Sequence, residues 1–285
     1  ALADYKKAVE LDPQDDGNYF KVAYTYYNLG EFDSALSTYM QFIKEFGEYE
    51  GTYNNMALIY KNDLNDYEKA LEYFNKAIEL NKNDALYYFN RAELLYYFLN
   101  KSEEALLDYN KGVELKPEAS SSYFQRGGYY VDEKEYELAL ADYKKAVELD
   151  PNDGDNYFKV AYVFQLLEKY DEALSTYQQY LSLFDGFANV YNNMALIYED
   201  NLNDYEKALE YYDKAIEVWL RDQTGGNGYT FYSNKASLIY DYAPGETDEE
   251  DFLKAINFGE DKIIINNTLN CYIKLRDENN SEIFL

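Results

Sequence analysis

The feature that most constrains this chain is that it repeats itself. Tyr53–Leu80, YNNMALIYKNDLNDYEKALEYFNKAIEL, returns nearly unchanged at Tyr191–Val218. Ala1–Pro13 likewise recurs at Ala139–Pro151, Asn18–Tyr24 at Asn156–Tyr162, and Asn65–Tyr73 at Asn203–Tyr211, each offset by 138 residues. Inside that long unit runs a shorter period of 34 or 35 residues. A unit this short cannot bury its apolar face alone, so copies must stack and share a continuous core.

Full repeats fall at about 16–49, 50–84, 85–119, 120–153, 154–187, 188–222 and 229–267. Each opens on an aromatic: Tyr19, Tyr53, Tyr88, Tyr123, Tyr157, Tyr191 and Tyr232. Four residues on stands a small residue: Ala23, Ala57, Ala92, Gly127, Ala161, Ala195 and Ala236. A second small residue follows at Ala35, Ala70, Ala105, Ala139, Ala173 and Ala208, and is delayed to Ala255 in the last repeat. Tyr53, Met56, Ala57 and Tyr60 share one helix face, and Tyr67, Ala70, Leu71, Phe74, Ala77 and Ile78 share another. Alanine at the crossing lets two backbones approach while rings fill the space on either side. Asn62-Asp63 and Asn65-Asp66 supply the turn and the cap of the second helix, and Asp16 or Asp153 caps the next pair.

This pattern resembles the tetratricopeptide repeat, whose signature is W-x2-L-G-x2-Y, then A-x3-F, then P. Tyr replaces the opening Trp, Ala mostly replaces the Gly, and the closing Pro stands only at Pro13, Pro117 and Pro151. The resemblance implies an all-α fold, a right-handed α-solenoid of about seven helix pairs. Residues 1–15 read as the second helix of a truncated repeat whose first helix is absent. Residues 223–285 read as a degenerate seventh repeat after a GGNG loop (Gly225–Gly228), with an inserted loop at Asp241–Asp251 and a capping helix at Thr268–Asp277.

Composition narrows the function. A net charge of -28 opposes nucleic-acid binding, because phosphate is repelled, and disfavours anionic membrane surfaces. The chain has no histidine and one cysteine, Cys271, which removes His-based triads, the usual metal ligands and any internal disulfide. No apolar run approaches the roughly 20 residues that span a bilayer. With no signal peptide in view, the cytoplasm is the expected compartment. The carboxylate-rich stretches Asp12–Asp16 and Asp150–Asp155 lack the order of a calcium loop and read as helix caps. No cofactor, metal or enzymatic activity is expected.

The informative positions lie two residues after each opening aromatic: Lys21, Asn55, Asn90, Gln125, Lys159, Asn193 and Asn234. They sit about 200° around the helix from the ring. The resemblance implies that this face of the first helix lines a concave groove. A carboxamide offers one acceptor and two donors, so a ladder of them can hold a peptide backbone. One position earlier stand Phe20, Phe89, Phe124 and Phe158, with Asn54 and Asn192 in the other repeats; such rings either grip apolar ligand side chains or pack on the next repeat. One position later, Arg91, Arg126 and Lys235 bring scarce positive charge, which favours a ligand carrying carboxylates or else makes surface ion pairs. The leading expectation is a non-enzymatic scaffold binding an extended peptide in the groove. The alternatives are a self-association module and the non-catalytic arm of a larger protein.

Overall fold

The structure, a computed structural model, describes residues 1–222 and 228–242. These fold as fourteen α-helices, and among the described residues there is no strand. The chain divides into two compact units, Ala1–Lys134 and Glu135 onward.

The first unit holds α1 (Leu2–Leu11), α2 (Asp16–Asn28), α3 (Phe32–Phe46), α4 (Glu50–Asn62), α5 (Tyr67–Leu80), α6 (Ala85–Glu93), α7 (Ser102–Leu115) and α8 (Ser120–Asp132). The second holds α9 (Tyr136–Leu149), α10 (Gly154–Leu166), α11 (Tyr170–Leu183), α12 (Ala188–Leu196), α13 (Tyr205–Asp222) and α14 (Gly228–Tyr242). In each unit a helix packs chiefly on its neighbours in sequence: α2 on α3, α4 on α5, α6 on α7, α10 on α11 and α12 on α13, with each pair stacked on the next. This is the architecture of an α-solenoid.

The crossing alanines are fully buried, as the spacing requires: Ala23 with Ala35, Ala57 with Ala70, and Ala195 with Ala208. Phe74, Tyr143, Tyr177 and Tyr212 fill the space beside them. Repeat three swaps this packing. Gly112 stands seven residues after Ala105, where Ala77 and Ala215 follow Ala70 and Ala208. A Cβ at Gly112 would lie 2.4 Å from the Phe89 ring, which occupies that volume instead.

Aspartates at the entries cap the helices. Asp66 accepts from the Lys69 amide at 3.1 Å and Asp153 from the Asp155 amide at 3.0 Å. At α2 the capping residue is Asp15, not Asp16; it accepts from Gly17 at 3.0 Å while Asp16 is already helical. The turns inside each pair explain the alternating period. Each contains a left-handed residue: Gly30, Asn65, Asn100, Lys134, Glu168 and Asn203. After Gly30 and Glu168 the next amide reaches back five residues, Glu31 to Tyr26 and Lys169 to Phe164. After the asparagines it reaches back six, Asp66 to Tyr60, Lys101 to Leu95 and Asp204 to Tyr198. The added residue is absorbed in a widened last turn, π-helical at Leu94–Phe98 and Ile197–Asn201.

Gly228 opens α14 rather than extending a loop. Trp219 closes over it, and a Cβ there would meet the indole at 2.5 Å. Helix α14 continues to Tyr242, two residues into the stretch expected as an insertion. The rest of that insertion, Ala255, Cys271 and the expected capping helix lie outside the described residues.

Candidate functional site

The ladder register divides into two groups. Lys21 and Gln125 are exposed, whereas Asn55, Asn90, Lys159, Asn193 and Asn234 are half-buried. Adjacent first helices lie close enough for the ladder to meet protein. The Asn55 amide donates to the Tyr39 hydroxyl at 3.4 Å, and Asn193 repeats this with Tyr177 at 3.0 Å. Burial raises the Tyr39 pKa, and the Asn55 bond partly offsets the shift. Asn90 donates to the Asn54 Oδ1 at 2.8 Å, and Asn234 donates to that of Asn192 at 3.0 Å.

Asn54 and Asn192 are therefore not surface flanks of a groove. Both are buried and tie one first helix to the first helix of the next repeat. The aromatic flanks are also engaged in packing. Phe89 is buried over Gly112, and Phe20 is half-buried against Phe42 at 4.6 Å and Tyr49 at 5.8 Å. Phe158 lies 5.9 Å from Tyr177, and Phe124 is half-buried on α8.

The cations on this face are largely engaged by the protein itself. Arg91 makes a bidentate contact with Asp108, both bonds 2.7 Å, and a third bond of 2.7 Å to Asn75 on the preceding pair. Burial alone would lower the Arg91 pKa, but the Asp108 bonds and charge outweigh it and the net shift is upward. Arg126 donates to Asn110 at 2.9 Å, and Lys235 pairs with Asp213 at 3.0 Å. Lys21 lies 5.8 Å from the Tyr5 ring centre.

What stays open is a cleft of about 190 Å³ between α2 and α4. Tyr24 and Tyr27 form one wall, Leu58 and Ile59 the other, with Tyr39 and Asn55 between them and Asn62 also lining it. The two tyrosine rings stack 6.5 Å apart, and Tyr24 is 62% exposed. Of these residues the sequence pattern marks Asn55 as a ligand contact, but not Tyr24, Leu58 or Asn62. The available signal was Tyr24 itself, a large ring one residue outside the apolar stripe of α2. Among the described residues no group of acidic or sulfur side chains is arranged to hold a metal ion, and no helix is long and apolar enough to cross a membrane.

A stack of helix hairpins with an open first-helix face defines a repeat protein of the interaction-scaffold class. Comparison with known proteins identifies the family. Tetratricopeptide-repeat models match residues 18–48, 51–84, 85–118, 120–153, 142–175 and 188–218, more than half of the chain, which therefore belongs to the tetratricopeptide-repeat family. No curated protein matches the sequence. Among solved structures, a tetratricopeptide repeat protein from Parabacteroides merdae ATCC 43184 is similar over 91% of this chain and 99% of its own, at 20% identity and TM-score 0.64. YrrB, described as having an unusual peptide-binding site, is similar over 65% of this chain and 94% of its own, at 27% identity and TM-score 0.51. Yeast Tom70 is similar over 98% of this chain and 58% of its own, at 18% identity and TM-score 0.64. Repeats of this family are protein-interaction scaffolds and in general carry no catalytic machinery.

Proposed function

We propose that this chain binds an extended segment of a protein partner along its first-helix faces, without catalysing a reaction on it. The observation that carries this reading is the cleft between α2 and α4, where an exposed tyrosine and two carboxamides border an apolar floor. Its volume suits one large apolar side chain, with Asn55 and Asn62 placed to bond the neighbouring peptide groups. YrrB, with its peptide-binding site, is a precedent for such use of the fold. In the second unit Asn193 keeps the bond to Tyr177 that Asn55 makes to Tyr39, so the same carboxamide is presented there.

Asn90, Gln125, Lys159 and Asn234 belong to the proposed binding face as secondary contacts. The internal bonds of Asn90 and Asn234 leave their oxygens as acceptors. A ligand bearing carboxylates would meet Lys21 and Lys159 rather than Arg91, whose guanidinium already holds Asp108 and Asn75.

A random dodecapeptide library panned against the chain tests the proposal. Enriched peptides should lose at least about tenfold in affinity to a variant carrying Tyr24→Ala and Leu58→Arg. They should bind normally to Leu107→Ser, a change at a residue 69% exposed on a second helix. Equal binding to both variants, or no enrichment, would overturn it.

A further inference from the structure

A second cleft, of about 450 Å³, opens in the first unit at the edge formed by the turns between paired helices. It is lined by Tyr96, Tyr97, Asn100, Ser102, Asp132 and Glu133. The widened turn at Leu94–Phe98 carries the exposed Tyr97 beside Tyr96, which is half-buried 5.1 Å from Tyr129; the Tyr96 and Tyr97 ring centres lie 4.8 Å apart, edge to face. Tyr97 is 55% exposed, and its hydroxyl donates to Asp132 at 2.5 Å. Glu133 faces the Tyr96 hydroxyl and makes it hold its proton more tightly.

Three observations give this cleft a sign. First, Asp132 and Glu133 sit at the C-terminal end of α8, whose last turn holds no basic residue. That is the wrong end of a helix for anions, which cost it a few tenths of a kcal/mol there. Second, burial raises the pKa of both tyrosines, and the charged side chains that act on them, Glu133 and Asp132, raise it further. Lys101, the nearest lysine in sequence on the following helix turn, is held by Glu104 at 3.0 Å. Third, two other repeats cover a first-helix tyrosine with a cation of their own, whereas among the described residues no lysine or arginine lies over the Tyr96 or Tyr97 ring. Lys69 lies 5.0 Å over Tyr60, and Lys207 lies 5.0 Å over Tyr198.

We propose that this cleft receives the ammonium or guanidinium group of a lysine or arginine on a basic protein segment. The cation lies against the Tyr96 and Tyr97 rings and between the Asp132 and Glu133 carboxylates. Ring face and carboxylate together are the chemistry that selects such a group: the ring quadrupole attracts the cation, and the acid accepts its hydrogen bonds. The site is separate from the first-helix cleft and does not depend on peptide binding there.

The test must separate this cleft from the general attraction of an acidic protein. The probe is a fluorescent hexa-arginine peptide, with hexa-glutamine as the neutral control, followed by anisotropy at physiological salt. Replacing Asp132→Asn and Glu133→Gln together should weaken hexa-arginine binding about tenfold. Removing two exposed helix-face acids instead, Glu79→Gln with Glu103→Gln, should change it less than about twofold. Tyr97→Leu, which keeps both carboxylates, should weaken it several-fold, with far-UV circular dichroism verifying that each variant is folded. Equal losses in the two charge-matched variants would show that binding follows net charge, and would overturn the proposal. So would an unchanged affinity in Tyr97→Leu.

Discussion

At the scale of single residues, the side chains that look free for a ligand are often the ones that lock repeats together. Arg91 is the clearest case: with side chains only 22% and 7% exposed, it and Asp108 form a largely buried pair. Arg91→Met should destabilise the fold by roughly 3 kcal/mol, because it strands a buried carboxylate. Arg91→Met combined with Asp108→Leu should recover most of that loss, since neither charge then remains; urea midpoints of the two variants measure it. The asparagine register was legible in the sequence, down to the identity of Asn55 and Asn193. That Asn54 is buried and bonded was not, because its partner Asn90 lies 36 residues away and meets it only when repeats stack. Cleft residues such as Leu58 were hidden for a related reason: the cleft exists only between two first helices, so no single repeat spells it out.

At the scale of the helix pair, aromatic and small-residue spacing carried nearly all the information, and the pairs α2–α3, α4–α5, α6–α7, α10–α11 and α12–α13 follow it. The turn geometry was less visible. The same left-handed position is filled by Gly30, by three asparagines and by two residues ill suited to it, Lys134 and Glu168. Glu168, at φ +58°, carries backbone strain that glycine would not. Glu168→Gly should therefore stabilise the protein by about 1 kcal/mol. Asn203→Gly should gain little, because the Asn203 side chain accepts from the Tyr205 hydroxyl at 3.2 Å and that bond would be lost. Thermal melts of the two variants side by side check the contrast.

At the scale of the whole molecule, 36 tyrosines in a chain without histidine move its pH sensitivity into the alkaline range. Burial, with Glu48 beside its hydroxyl, pushes the Tyr53 pKa up to about 12; burial, with Asp84 and Glu50 nearby, does the same for Tyr87. Both bind their proton more tightly folded than unfolded, where the value is about 10. Their stabilising contribution is complete below pH ~10 and is lost as the pH rises through ~12. The urea midpoint should thus hold steady from neutral pH to about 10 and then fall. Added salt should lessen only the part of the fall that comes from growing net charge. Architecture and class of function belong to this scale as well, and both were readable from the period. Ligand identity was not, because the aromatic and small-residue spacing specifies how helices pack and not the chemistry of the exposed first-helix positions.

The proposed binding surface is the first-helix face and not the outer face of the second helices. Amide hydrogen exchange with and without a panned peptide tests it most directly. Protection should concentrate in α2 and α4, at the amides around Tyr24, Asn55 and Leu58. Protection confined to α3 and α5, with α2 and α4 unchanged, would contradict it.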